Sequence, residues 1–143
     1  MNVQSVMTRD VAIINQTDSV RAAAALLARL NIGSAPVCNG RSLVGMITDR
    51  DIAVRAVAEG RDPLDTPVEQ VMTRDVIFCF EDQDVQEVAA SMASSQVRRM
   101  PILNRQHELV GLVSLGDLAV EVADDQLTGE VLEEVSQPSR PQR

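Results

Sequence analysis

Two windows of the chain carry apolar residues at the spacing of one helical face: Val20, Ala23, Ala24 and Leu27, then Val85, Val88, Ala89 and Met92. That is the i, i+3, i+4, i+7 stripe of an amphipathic helix with one face buried. Ser19 and Asp84 stand before the two stripes as N-cap residues, and Glu87, three after Asp84, gives a capping-box variant. Ahead of each helix a β-branched run, Val11-Ala12-Ile13-Ile14 and Val76-Ile77-Phe78, reads as a strand. After each helix a strand opens on Pro36 or Pro101, where the first residue need not donate to the ladder. Asn39-Gly40 then predicts a hairpin turn into a strand from Leu43 to Ile47, with Leu109 to Val113 as its counterpart. Second helices are expected from about Asp49 to Ala58 and from about Leu115 to Ala123. Strand, helix, strand, strand, helix thus occurs twice, an α+β pattern with helices against one sheet face.

The pattern repeats because the chain is internally duplicated. Val6-Met7-Thr8-Arg9-Asp10-Val11 returns letter for letter as Val71-Met72-Thr73-Arg74-Asp75-Val76, and Leu43-Val44-Gly45 returns as Leu109-Val110-Gly111. The first match lies 65 residues on and the second 66, so one residue has been inserted within 104–108 of the second copy. Each copy alone is too small to bury a core comfortably, and the two are expected to share one. The expected division is a first domain at 1–60, a linker at 61–70, a second domain at 71–124, and a C-terminal helix with a flexible tail at 125–143. Gly60-Arg61-Asp62-Pro63 has linker composition, 127–135 would form the last helix, and 137–143 the tail.

Composition narrows the function classes. Hydrophobic residues make up 45% of the 143 positions, which is globular, and no run approaches the length of a membrane span. The opening residues lack an export-signal pattern, so a soluble, cytoplasmic protein is expected. Net charge is −8 and every basic residue is an arginine, scattered along the chain, an arrangement unsuited to nucleic acid. Cys38 and Cys79 lie in apolar runs without ligand spacing and read as inert buried thiols. His107, the only histidine, falls in the inserted turn. No nucleophile–base pair, metal cluster or glycine-rich phosphate loop is visible, so no catalytic residue, enzyme activity or metal site is expected.

The candidate chemistry is a repeated signature where a strand meets a helix: Gly45-x-x-Thr48-x-x-Asp51 and Gly111-x-x-Ser114-x-x-Asp117. One reading is a capping box, hydroxyl and carboxylate closing the helix start. The other is a ligand grip, since helix N-termini suit phosphate and a hydroxyl with a carboxylate suits phosphate and a ribose diol. Taken with the two Val-Met-Thr turns and the Pro36 and Pro101 strands, the signatures make residues 6–123 resemble the cystathionine-β-synthase (CBS) domain family, as a tandem pair or Bateman module. That resemblance implies two βαββα repeats packed about a pseudo-twofold axis, in a stand-alone module with clefts for an adenosine-containing ligand, AMP, ADP or ATP foremost.

Carried over from the family, Thr48 and Asp51 would work with Val76, Ile77, Val97, Arg98 and Arg99, while Ser114 and Asp117 would work with Val11, Ala12, Ile32, Gly33 and Ser34. Arg50 would reach a phosphate, although its counterpart is Gly116. With no Trp or Tyr and only Phe78 and Phe80, the base would be sandwiched by aliphatic side chains. The commoner fate of aliphatic residues such as Ile32 and Val97 is only to close the end of the first helix, and Arg98-Arg99 also reads as a solvated pair at a helix C-terminus. The function so implied is a regulatory sensor of adenine nucleotides, acting as a homodimer or through an unidentified regulated protein. The alternative is a ligand-free structural or dimerisation protein with vestigial clefts.

Overall fold

A computed structural model of the chain describes residues 1–121. The helix expected at 127–135, the tail at 137–143, and the last residues of the second helix of repeat two lie outside the described residues. The chain forms two compact units. One, here the amino unit, comprises Ala12–Val76 with His107–Leu109; the other, the carboxy unit, comprises Met1–Val11, Ile77–Gln106 and the chain from Val110. The units are therefore offset from the repeats. Each takes its first Val-Met-Thr turn from the other copy.

In the amino unit a short strand β1 (Ile14–Asn15) runs parallel to β2 (Ser34–Asn39), which pairs antiparallel with β3 (Ser42–Thr48). The hairpin loop is Gly40-Arg41, and Gly40 adopts φ +63°, where a side chain would be strained. Register runs Ser34 opposite Thr48 and Val37 opposite Gly45, then Cys38 opposite Leu43, so Val44 is a bulge. Helix α1 (Val20–Leu30) starts at Ser19, whose hydroxyl accepts from the Ala22 N–H at 3.0 Å. It ends at Asn31 in the left-handed region, φ 54°, as a helix C-terminus often does. Helix α2 begins with Asp49–Asp51 and continues through Ile52–Val57 as a π-helix, with Ala58 donating to the carbonyl of Ala53 at 2.9 Å. Val20, Ala23 and Leu27 of the sequence stripe meet Val37, Ile47 and Ala56 in the core.

The expected linker is not a spacer. Its Pro63 and Thr66 carbonyls accept from the Arg21 and Val20 N–H groups at 3.0 and 2.9 Å, taking up donors that a helix start leaves unpaired. Val68, Val71 and Met72 lie in the same core as α1. The first strand is also shorter and later than the β-branched run suggested, because only Ile14 and Asn15 find partners on β2.

The carboxy unit repeats the plan. Strand β4 (Cys79–Phe80) is parallel to β5 (Arg99–Leu103), and β6 (Leu109–Ser114) neighbours β5. Helix α3 (Val85–Ser95) is capped by Asp84, which accepts from Gln86 N–H at 2.8 Å. The expected capping box does not form there, since Glu87 accepts instead from the Gln83 amide at 3.4 Å. Helix α4 spans Leu115–Glu121. Val85, Val88, Ala89 and Met92 face Met100, Ile102 and Val113, and Val3 and Met7 complete this core. Among the described residues no helix is long and apolar enough to cross a membrane.

The signature glycines explain how the turns dock. Met46 and Thr73 exchange backbone hydrogen bonds at 2.9 and 2.8 Å, and Thr8 and Leu112 do the same at 2.8 and 3.0 Å. A Cβ at Gly45 would stand 2.7 Å from the Thr73 carbonyl oxygen, and one at Gly111 would stand 2.8 Å from that of Thr8. Gly45→Ala should therefore destabilise by about 1–3 kcal/mol as an overpacked contact against backbone. Gly116→Ala, whose new Cβ meets only Ser114 Oγ at 3.6 Å, should stabilise by about 0.5–1 kcal/mol as a helical Gly replaced by Ala. Urea unfolding of both variants checks the contrast.

Candidate functional site

Each Gly-x-x-Thr/Ser-x-x-Asp signature folds as a cap at the start of α2 or α4. Strand β3 delivers Thr48 in extended conformation, its hydroxyl accepts from Asp51 N–H at 2.9 Å, and Asp51 Oδ2 accepts from Thr48 N–H at 3.1 Å. In the carboxy unit Ser114 Oγ accepts from Asp117 N–H at 3.2 Å and Asp117 Oδ2 accepts from Ser114 N–H at 2.9 Å. The capping geometry of the two helix starts is thus reciprocal in both units, as hydroxyl and carboxylate at this spacing allow.

Their surroundings diverge. Asp51 is only 8% exposed. Its two oxygens also accept from the Thr73 hydroxyl, at 3.3 Å each, and Oδ1 stands 3.8 Å from Arg55 Nε. The docked turn thereby adds a hydroxyl from repeat two to a cap of repeat one. Asp117 is half-buried, and among the described residues Ser114 is the donor to its carboxylate. Thr8, which corresponds to Thr73, is exposed, and the position corresponding to Arg55 is Glu121.

The loops before β2 and β5 lie beside these same caps. Asp49 N–H donates to the Gly33 carbonyl at 3.0 Å, and Ser34 pairs with Thr48 across the hairpin. Correspondingly, Leu115 N–H donates to the Arg98 carbonyl at 3.1 Å. Within the units Gly33 and Ser34 neighbour Thr48 and Asp51, while Arg98 and Arg99 neighbour Ser114 and Asp117. Reading Asn39-Gly40 as a hairpin already contained the signal, because a tight hairpin sets the residue that opens one strand against the residue that closes the other.

Val76 falls with Thr48 and Asp51 in the amino unit, together with Ala12 and Ile32; Val11, Ile77 and Val97 fall in the carboxy unit. Ile77 is 46% exposed, as is Ile13 at 47%, whereas Ile32 and Val97 are half-buried against the cores. Arg50, Arg98 and Arg99 are exposed. Sequence reasoning passed over Thr73 and Arg55, which touch the Asp51 carboxylate. Nothing in the periodicity marks them, since they reach it only once the turn has docked.

Burial pushes the Cys38 and Cys79 thiols up from their ordinary range, which matches the inert reading. Among the described residues no group of three or more His, Cys, Asp and Glu side chains is placed to hold a metal ion.

Thr73→Val should destabilise by about 0.5–1.5 kcal/mol, the net worth of a lost hydrogen bond, while Thr8→Val should stay within about 0.5 kcal/mol of wild type as an exposed substitution. Parallel denaturant titrations measure the difference.

The chain matches the family described as CBS domain over residues 3–57 and again over 68–124. It is 38% identical over 135 residues to the CBS domain-containing protein YhcV of Bacillus subtilis, covering 94% of this chain and 95% of that one. It is 34% identical over 118 residues to hypoxic response protein 1 of Mycobacterium tuberculosis, covering 81% of each. The crystal structure of Hypoxic Response Protein I with two coordinated zinc ions is similar at a TM-score of 0.76 and 29% identity, over 85% of this chain and 99% of that one. So is the CBS domain protein PAE2072 from Pyrobaculum aerophilum complexed with AMP, at 0.72 and 27%, over 96% and 100%.

Proposed function

The chain belongs to the CBS-domain family as a tandem pair of such domains, and from that premise we propose that it is an adenine-nucleotide-binding regulatory module rather than an enzyme. The observation that carries this reading is the Ser114–Asp117 cap. Its carboxylate has one oxygen engaged by the Ser114 N–H, and the adjoining loop, bonded through the Arg98 carbonyl, presents two exposed arginines. A ribose hydroxyl donating to Asp117 and a phosphate accepting from Arg98 or Arg99 fit those groups, the latter as charge-assisted and often bidentate bonds. Exposed Ile77 and half-buried Val97 and Val11 offer aliphatic surface to a base. The complex of the similar PAE2072 with AMP supports the ligand class.

The Thr48–Asp51 cap, with Val76, Ala12, Ile32, Gly33, Ser34 and Arg50, is the second candidate half-site. There the carboxylate is already matched by Thr73 and Arg55, an observation that favours a structural role for this half. ATP, ADP or AMP is accordingly expected to bind first at Asp117.

Asp117→Ala should weaken nucleotide binding roughly ten- to a hundredfold, the worth of a hydrogen bond to a charged group, while losing the acceptor of the Ser114 N–H costs only about 0.5–1.5 kcal/mol of stability. The Arg98→Ala, Arg99→Ala double variant should flatten the preference for ATP over adenosine. Calorimetric titration with AMP, ADP, ATP and S-adenosylmethionine reads both. Affinity unchanged in Asp117→Ala would return this cap to a purely structural role.

The signal is proposed to pass to a regulated partner through a homodimer. Helix α2 leaves Val54 and Val57 exposed at 48% and 69%, with Ala53 beside them, and small residues let a second copy approach closely. Light scattering should give twice the chain mass at micromolar concentration, and Val57→Asp should shift it toward the monomer; a monomeric wild type would refute the dimer.

A further inference from the structure

Arg55 on α2, Arg61 just beyond it and Arg74 in the docked turn line one depression of about 500 Å³ in the amino unit, with Thr73 and Gln70 among them. That size suits a small-molecule site. Glu69 and Asp75 also line it, so guanidiniums outnumber carboxylates there, although the chain as a whole carries −8.

Each arginine gives one guanidinium N–H to a neutral acceptor. Arg55 Nη1 donates to the Met72 carbonyl at 3.1 Å, Arg74 Nη2 to the Glu69 carbonyl at 2.8 Å, and Arg61 Nη1 to Gln70 Oε1 at 2.9 Å. Neutral acceptors orient a guanidinium without cancelling it, and its remaining N–H groups keep the fork that fits an oxyanion. Two of the three also pair with a carboxylate, Arg55 Nε with Asp51 Oδ1 at 3.8 Å and Arg61 Nε, which donates to Glu59 Oε2, at 3.3 Å, while Arg74 has no ion pair among the described residues.

The duplication supplies an internal comparison. Arg9, the counterpart of Arg74, makes the same bond to its own turn, Nη2 to the Gln4 carbonyl at 3.2 Å. The place of Arg55, however, is taken by Glu121. The anchored arginine belongs to the turn common to both copies, whereas the convergence belongs to one.

We infer that Arg55, Arg61 and Arg74 form a phosphate-recognising site on the amino unit, additional to the two helix starts. Its ligand is a phosphate-bearing small molecule, either a free condensed phosphate or the phosphate chain of a nucleotide. The site requires no recognition of adenine or ribose, although it adjoins the Asp51 cap through Thr73 and Arg55.

The test titrates the full-length chain with sodium pyrophosphate, ATP and adenosine by calorimetry. Wild type should bind pyrophosphate, and the Arg61→Ala, Arg74→Ala double variant should bind it roughly ten- to a hundredfold more weakly, with a shallower dependence on salt. Arg9→Ala should match wild type. Arg74→Lys, which keeps the charge, should fall between, and it preserves the test if the double variant folds poorly. A parallel loss for ATP identifies the nucleotide's phosphates as a source, while pyrophosphate binding that ATP does not displace identifies the free anion. The idea is overturned if wild type shows no pyrophosphate binding at millimolar concentration, or if the double variant binds it as tightly as Arg9→Ala does. Adenosine affinity, read in the same series, reports on the helix-start sites alone.

Discussion

The contact on which each unit depends is the seating of a Val-Met-Thr turn on a glycine of a signature strand. Two backbone hydrogen bonds join Thr73 to Met46, and two join Thr8 to Leu112; both are short enough to demand that Gly45 and Gly111 carry no side chain. The methionine of each turn then enters a core, Met72 beside Ile47 and Met7 beside Val113. Backbone pairing thus fixes the approach, and burial of the methionine with its neighbouring valines stabilises it. Because the turn comes from one repeat and the strand from the other, neither repeat can complete its core alone. Repeats too short to bury a core comfortably therefore do not share the single core expected of them but build two, each from both copies.

The same contact shapes the site. A strand that ends in Thr48 or Ser114 must hand over to a helix whose first N–H groups lack partners, and the hydroxyl–carboxylate cap meets that need in both units. In the amino unit the seated turn delivers Thr73 to the cap, and Arg55 reaches both the Asp51 carboxylate and the Met72 carbonyl. Cap, turn and helix are therefore one hydrogen-bonded network. In the carboxy unit the equivalent turn seats in the same way, yet Thr8 stays exposed. Identical local sequence has produced equivalent backbone with different side-chain partners, because the partners come from positions that the duplication did not keep.

What could be read from the sequence follows from this division. The helices, their caps at Ser19 and Asp84, and the family itself were legible, since each rests on local periodicity or on letters repeated in order; the strands holding Pro36 and Pro101 were expected to open on those prolines but open two residues earlier, at Ser34 and Arg99. Two things were not. The run at 61–70 has the composition of a linker, yet Val68 is fully buried and the Thr66 carbonyl caps α1; polar and proline residues around a single apolar anchor hide its role. The other was the exchange of turns, which brought Thr73 to the Asp51 carboxylate, because sequence order gives no sign of which copy's glycine a turn will seat on. The short strands Ile14–Asn15 and Cys79–Phe80 illustrate a third limit, since β-branched runs report propensity while pairing partners decide length.

Divergence after duplication has moved charge around a conserved frame. On the amino unit the arginines stand on and beyond the helix, at Arg50, Arg55 and Arg61, while Gly33 and Ser34 stand where the chain enters β2. On the carboxy unit the corresponding helix carries Gly116 and Glu121, and Arg98 and Arg99 stand where the chain enters β5. Each unit therefore presents guanidinium groups from a different side of the same hydroxyl–carboxylate cap. An anion drawn to one cap from the loop side would meet no such donor on the loop of the other. Since a guanidinium binds oxyanions through a fixed fork whose direction matters, the two half-sites are not interchangeable even where their backbones coincide. Under the function proposed above, a duplicated frame of this kind would distinguish ligands by where their phosphates lie relative to the ribose, with the backbone unchanged and only a handful of side chains exchanged.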